Sequence, residues 1–370
     1  MSKIKCAVVT NVPAPYRVPV WKCLSESDRV EPHIIYCAPA HIDPTLTGIT
    51  EEYGVHFLKG KYLDYEDGFM HMDLSVIRAL EKIKPDVVVT TGYIPTYLYA
   101  FAWAVLKGVP HVAMTDGTHF AESSLTWVHR LVRRLVFART KSFVGACLGS
   151  KELFLSYGVP ADKIHLSPLC DNNALFSSGV SEPKYDFIFC GQFVDRKNPL
   201  FAIGVADGVA KRLGRPVSIR FLGKGPMEAE IREAALRTEG RVDLSFAGYL
   251  LQKDMPAEYA ASRVFLFPTR LDCWGVVVNE ACAAGLPCMV TPYTGVAGEL
   301  VVDGENGYVC DFDLDAWVER CVRLLTDEAL WTRQSLSSRE KVKQFTFELS
   351  AQGIVDAALQ ATGHPRSALP

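Results

Sequence analysis

At 370 residues the chain is too long for one ordinary core, and two domains are the starting expectation. Hydrophobic residues make up 49% and charged residues 22%, the balance of a globular protein with large buried sheets, and no stretch reaches the roughly 18–20 uninterrupted apolar residues of a spanning helix. A formal net charge of -3 gives no general attraction to nucleic acid, and eleven cysteines without a Cys-x-x-Cys pair suit a reducing cytosol, not a disulfide scaffold.

The opening MSKIKCAVVT reads as a first parallel strand over Ile4 to Thr10, not as a signal peptide. The loop that follows carries Pro13, Pro15 and Pro19, which stiffen it, and Arg17, a planar and always charged donor. Val30 to Cys37 reads as a second strand. Residues 38–72 mix charged and aromatic residues without clear periodicity and receive no assignment. Asp73 to Lys84 places Leu74, Ile77, Leu80 and Ile83 on one helical face, and Pro85 ends it. A buried strand over Asp86 to Thr91, a helix from Ile94 stopping at Gly108, and a strand over Pro110 to Thr115 complete a repeat of a doubly wound α/β domain. Asp116 and His119 then stand at a strand's carboxyl end, where ligands bind in such sheets, although Asp116 also suits a turn cap.

Leu125 to Lys141 alternates apolar and basic residues at helical spacing, with Arg130, Arg133, Arg134, Arg139 and Lys141 beside Trp127, Leu131, Leu135 and Val136. The pattern suits a helix lying on an anionic membrane, and equally a surface helix with a core-facing stripe. Ser142 to Leu148 is a strand, Ser150 opens a helix, and Tyr157 to Leu166 leads through Gly-Val-Pro towards Asp171. Ser177 to Lys184, SSGVSEPK, has the composition of a linker and divides the chain into 1–178 and 185–345.

The second half starts with a strand over Tyr185 to Cys190 and a loop holding Arg196 and Lys197 before a helix from Leu200. A strand over Val217 to Leu222 ends in Gly223-Lys-Gly225-Pro226, whose glycines let the backbone approach a ligand. Val242 to Ala247 is followed by Gly248-Tyr249-Leu250, and Met255 to Ala261 is helical. The strand over Ser262 to Pro268 then runs out into a loop where Asp272 and Glu280, eight positions apart, bracket a Trp274-Gly275 turn and a helix start. Backbone N–H groups at a helix start suit a diphosphate, and ionised carboxylates accept from sugar or ribose hydroxyls. Gly285-Leu-Pro287 closes the helix and Cys288 to Val290 starts the next strand. Asp311, Asp313 and Asp315 lack the glycine and terminal acid of a calcium loop; Asp315 reads as lying near an N-cap, and no metal site is expected. Helices over 316–325, 328–343 and 349–359 end the chain.

The run from Asp272 to Gly307 resembles the donor-site motif of the retaining GT-B glycosyltransferases of family 4, the glycosyl transferases group 1. An acid is followed after seven residues by Glu280, and Ala281, Gly285, Pro287, Gly295, Glu299, Gly304, Asn306 and Gly307 fall where the family pattern has such residues. Three departures stand out. Asp272 replaces the first glutamate, Gln192 stands where an arginine is commonest, and Asp116 takes the place of a histidine, with His119 three residues later.

The resemblance implies two doubly wound, Rossmann-like parallel-sheet domains facing across a cleft. The acceptor-side domain spans 1–178, with a helix over 346–361 returning to it, and the donor domain spans 185–345. It implies transfer of a hexose, with retention, from a UDP- or GDP-sugar to a hydroxyl. Lys197 with Arg196 would grip the diphosphate, and the N–H groups of Trp274, Gly275 and Val276, beside Cys273, would support it. Glu280 would hold the ribose and Asp272 the transferred sugar, and Asp116 or His119 would position the sugar or the acceptor hydroxyl. Gly223, Gly225, Tyr249 and Leu250 would meet the nucleoside, with Arg17 and His119 approaching the site from the first domain. The nucleotide sugar is a co-substrate, and no cofactor, metal or nucleic acid is expected. With the basic helix, the acceptor is expected to be a lipid-linked or growing surface-polysaccharide glycan, handled in the cytoplasm at the inner membrane face. A nucleotide-sugar epimerase, a polysaccharide phosphorylase and a non-catalytic nucleotide-sugar-binding protein are the alternatives.

Overall fold

The structure, a computed structural model, describes residues 3–37, 53–60, 62–65, 68–122, 125–177 and 183–365. The chain divides into two compact units, one of Met1–Leu169 with Thr346–Pro370, the other of Cys170–Phe345.

The first unit is built on a seven-stranded parallel sheet. Its strands are β1 (Ile4–Thr10), β2 (Val30–Tyr36), β3 (Gly54–Phe57), β6 (Val87–Thr90), β7 (His111–Thr115), β8 (Ser142–Gly145) and β9 (Ile164–Leu166), in the order β3-β2-β1-β6-β7-β8-β9. A hairpin of β4 (Tyr62–Tyr65) and β5 (Gly68–His71) stands apart from it. Most of the strands are apolar runs because helices cover both faces. Helices α2 (Ser75–Ile83) and α3 (Pro95–Lys107) pack Val76, Leu80, Tyr97 and Trp103 against Ala7, Val9, Ile35 and Val88. Helix α1 (Val18–Ser25) packs against α14 (Phe347–Ala361), which also lies on β7, β8 and β9. The approach of α14 is close: a Cβ on Gly353 would fall 1.8 Å from the Leu166 carbonyl oxygen, and Ser350 hydrogen-bonds Ser167 at 2.7 Å. The short α4 (His119–Glu122), α5 (Trp127–Phe137) and α6 (Leu148–Ser156) complete the unit.

The second unit has a six-stranded parallel sheet in the order β12-β11-β10-β13-β14-β15. Its strands are β10 (Tyr185–Cys190), β11 (Val217–Leu222), β12 (Val242–Gly248), β13 (Ser262–Phe267), β14 (Cys288–Val290) and β15 (Gly307–Val309). Helices α7 (Asn173–Phe176), α8 (Pro199–Leu213), α9 (Glu228–Leu236), α10 (Met255–Ala260), α11 (Val276–Ala284), α12 (Leu314–Thr326) and α13 (Glu328–Val342) surround it. One continuous core joins Phe187, Phe189 and Phe221 of the sheet to Val205 and Val209 of α8 and Trp317 of α12.

Three details differ from the sequence reading. Residues 170–177 belong with the second unit, because Phe176 packs edge-on against Tyr259 at 5.6 Å and Asn173 donates to the Phe345 carbonyl at 2.8 Å. Much of 38–72 and most of the linker fall outside the described residues, but the unassigned stretch includes β3, which pairs with β2 as an edge strand, and the β4–β5 hairpin. Asp315 does lie near an N-cap: Asp313 caps α12, accepting from the N–H groups of Asp315 and Ala316. The apolar stripe of α5 is split: Trp127 is 75% and Leu135 61% exposed, while Val136 is buried with Phe137 and, unlike its basic neighbours, Arg133. Arg133 can point inward because Glu122 pairs with it at 2.8 Å and the Tyr93 ring lies 4.5 Å from its guanidinium carbon.

Candidate functional site

Strands β10 and β13 are hydrogen-bonded neighbours running in parallel, so the loops that leave their carboxyl ends lie side by side. That adjacency brings together Lys197 and Asp272, residues 75 positions apart, as an ion pair. Arg196, more exposed, reaches the same Asp272 oxygen at 3.8 Å and donates to the Leu271 carbonyl at 2.9 Å. The two loops are tied by backbone bonds: the Arg196 carbonyl accepts from the Arg270 N–H at 2.8 Å and from the Thr269 hydroxyl at 2.9 Å. Asp272 is held in turn against the 293–295 loop, its N–H donating to the Tyr293 carbonyl and its carbonyl accepting from Gly295, both at 3.1 Å. The Cys273 carbonyl lies where a Cβ on Gly295 would fall, so this packing needs glycine there.

Gly275 is the N-cap of α11 and has φ of 107°, a left-handed backbone that favours glycine; a Cβ there would meet the Phe267 ring at 2.7 Å. The helix starts at Val276 beside Asp272, and its first N–H groups have no partner within the helix. One expected donor is already engaged: the Trp274 N–H donates to Asp272 Oδ1 at 3.3 Å. The indole is buried and donates to Asn279 Oδ1 at 2.7 Å, which anchors the turn.

A cavity of about 660 Å³ opens where the loops after β10, β11 and β12 meet. Gly223, Gly225, Tyr249 and Leu250 line it, as does Gln192. The glycines serve a purpose other than ligand approach alone. A Cβ on Gly223 would sit 2.0 Å from the Gly191 carbonyl oxygen, and one on Gly225 2.5 Å from that of Phe193, so the backbone they admit is the 191–193 loop. Cys190, Lys224 and Met255 also line the cavity and were not singled out by sequence, since nothing in their spacing marks them.

Glu280 does not line that cavity. It is buried on α11, accepting from the Tyr259 hydroxyl at 2.6 Å and hydrogen-bonded to Asp171. Burial, and then the neighbouring Asp171, push its carboxyl well above the usual range. Tyr259 also hydrogen-bonds Cys190, so Glu280 connects to the cavity wall through one phenol.

In the first unit Arg17 and Asp116 form an ion pair at the carboxyl ends of β1 and β7. They line a second cavity, of about 380 Å³, with Asn11, Trp21 and Tyr97. The pairing neutralises Arg17, although its Nη1 is buried without a hydrogen-bond partner. His119 does not join them; it lines a separate hollow with Arg130, Arg134 and Tyr157.

Comparison with known proteins bears on the same loops. The family described as glycosyl transferases group 1 matches residues 171–344, and a glycosyl transferase 4-like domain matches residues 61–170. Both are glycosyltransferase families, and together the matches run from residue 61 to residue 344. The chain is similar to the capsular polysaccharide biosynthesis glycosyltransferase CapM of Staphylococcus aureus, 27% identical over 66% of this chain and 61% of that protein. It is also similar to the UDP-Gal:alpha-D-GlcNAc-diphosphoundecaprenol alpha-1,3-galactosyltransferase of Escherichia coli, 26% identical over 73% of each. Among solved structures, that of HepE from Anabaena in complex with UDP and glucose matches 95% of this chain and 98% of that one at 14% identity, with a TM-score of 0.72. A structure of WaaG, a glycosyltransferase involved in lipopolysaccharide biosynthesis, gives 0.66 over 95% of this chain and 98% of that one. Both likenesses are in fold, and this chain shares the two-sheet GT-B architecture with them.

Proposed function

We propose that the protein transfers a sugar, with retention of anomeric configuration, from a nucleoside diphosphate sugar to a hydroxyl of a lipid-linked or growing polysaccharide. The observation that carries this reading is the meeting of Lys197, Arg196 and Asp272 beside the start of α11 and next to the cavity of the β10–β12 loops. Breaking the bond between sugar and diphosphate leaves negative charge on the phosphate oxygens. Two fixed cations and a helix start stabilise that charge where it develops, without reorganising at the moment of reaction. Asp272 holds both cations in the free protein and offers acceptor oxygens to sugar hydroxyls. These side chains supply the positive charge for which other enzymes use a metal ion, so the reaction is proposed to be metal-independent. The leaving phosphate itself takes the acceptor proton.

UDP is the first donor base to test, since HepE was solved with UDP and glucose and the E. coli relative is named for a UDP-Gal donor and a diphosphoundecaprenol-linked acceptor. A lipid-linked acceptor places the protein on the cytoplasmic membrane face, and the outward apolar stripe of α5 with Arg130 and Arg134 supports that placement.

The test is a thermal-shift panel of UDP, GDP and their sugars on wild type and Lys197→Ala. A ligand at a hundredfold its dissociation constant adds about 2.7 kcal/mol. One base should shift the melting temperature of wild type and do so far less in the variant. Turnover by Lys197→Ala should fall about 10²–10³-fold, as for loss of one preorganised donor. A panel in which no nucleotide shifts wild type overturns the donor reading. An inverted product anomer, read by NMR, overturns retention.

A further inference from the structure

Within the second unit two carboxyl groups meet out of reach of water. Asp171, in the loop before α7, is 5% exposed, and Glu280, on α11, is 6% exposed; their side chains are hydrogen-bonded to each other. Each is held on its other side by neutral donors. Asp171 Oδ1 accepts from Gln252 Nε2 at 2.5 Å and from the Asn172 N–H at 2.7 Å, while Glu280 Oε2 accepts from Tyr259 at 2.6 Å. From β10 the Cys190 thiol meets the Tyr259 hydroxyl, its pKa pushed up to about 12 by burial. The Phe176 ring of α7 closes the other side of Tyr259. The loop cations Lys197 and Arg196 are engaged with Asp272, and neither buried carboxyl forms an ion pair among the described residues.

Two ionised carboxylates cannot hydrogen-bond each other, because neither has a proton to donate. Like charges in a desolvated site leave one of the two protonated, as in paired catalytic carboxyls. We propose that Asp171 and Glu280 hold one proton between them, and that Asp171 is thereby the positioning residue that fixes Glu280 and, through Tyr259, the Cys190 wall of the cavity at the β10–β12 loops. The second half of this inference rests on the donor-site reading. The proton makes Glu280 a donor to Asp171 while Tyr259 donates to Glu280, so both carboxyls have one preferred orientation. Removing the proton at high pH sets two anions against each other and breaks the chain of bonds from Gln252 to Tyr259. Nucleotide affinity therefore falls on the alkaline side, by up to about tenfold per pH unit for one proton.

Asp171→Asn separates positioning from bulk structure. The amide oxygen still accepts from Gln252 and Asn172, and its NH₂ donates to an ionised Glu280, so the bond survives without a titratable proton. The first readout needs no ligand: the infrared C=O stretch of a buried protonated carboxyl, measured on wild type, Asp171→Asn and Glu280→Gln at neutral pH. The band should appear in wild type and vanish in both variants. Its absence from wild type, or persistence in both variants, overturns the shared proton. The second readout is calorimetric binding of UDP and GDP from mildly acidic to alkaline pH. Wild type should lose affinity as pH rises, and Asp171→Asn should give a flat profile near the wild-type acidic value. Parallel profiles overturn the positioning role. If neither protein binds either nucleotide at any pH, the donor reading fails, while the infrared band still decides the shared proton.

Discussion

A proton held by Asp171 and Glu280 has a consequence for stability that needs no substrate. Burial raises both carboxyls, and Glu280 is raised further by Asp171. In the unfolded chain both groups are ionised above the ordinary carboxylate range, whereas the folded pair keeps a proton until a much higher pH. Between those limits folding takes up a proton, so stability falls as pH rises and levels off once the pair itself ionises. The slope is about 1.4 kcal/mol per pH unit for one proton. Asp171→Asn has no proton to take up, and its melting temperature is expected to gain on wild type steadily from acidic to neutral pH. Thermal melts of the two proteins across pH check this, and a constant offset between them would contradict it. Asp171 also marks the limit of what the residues disclosed. Lys197, Asp272 and Glu280 stood out as candidates because a dense run of glycines, proline and acids surrounds two of them and a family resemblance carried the third. A lone acid in a loop reads as solvated, and only the packing of α7 on α10 and α11 takes Asp171 out of water.

Among the elements, α5 shows what periodicity conveys and what it leaves open. The spacing of Trp127, Leu131 and Leu135 predicted one stripe, but a stripe has no address until its opposite face is known. The address is set by Glu122 and Tyr93, which give Arg133 an ion pair and a ring to lie against and so turn the basic residue inward. Leu131→Ser with Leu135→Ser should leave the melting temperature nearly unchanged, since exposed substitutions usually stay within about 0.5 kcal/mol. The same pair should weaken binding to vesicles containing phosphatidylglycerol, and Arg130→Gln with Arg134→Gln should weaken it most at low salt. Cosedimentation equal to wild type for both pairs would remove the membrane proposal. The strands were the best-read elements, because the apolar runs of β1, β6 and β10 are buried on both faces and admit few other conformations. Edge pieces such as β3 were missed for the converse reason: its residues are only partly buried and carry no such run.

For the whole molecule, the division into units follows packing and not sequence continuity. Helix α14, with Ile354, Val355, Ala358 and Leu359 buried, covers β7, β8 and β9, which precede the whole second unit in the chain. A fragment of residues 1–169 is therefore expected to expose the face that α14 covers and to lack a cooperative melt. A fragment of residues 170–345 retains its whole sheet and core and should melt cooperatively. Calorimetry of the two fragments tests this, and adding a peptide of residues 346–361 should restore order to the first alone. A cooperative melt of 1–169 unaided would show that α14 is dispensable. The amphipathic pattern near 349–359 was visible in sequence, and the family resemblance implied that this helix returns to the first domain, where Gly353 packs on Leu166.

That arrangement also sets an order of events on the ribosome. The strands of the first unit are synthesised before the second unit, but the helix that covers them is made only after it. At roughly 5–20 residues per second, the intervening segment takes on the order of 10–35 seconds to synthesise. By the end of that interval the second unit has every residue it needs and can close, while the first still waits with an apolar sheet face unprotected. The nascent first unit is thus the part with most need of a chaperone, and slowing translation would lengthen its exposure without affecting the finished fold.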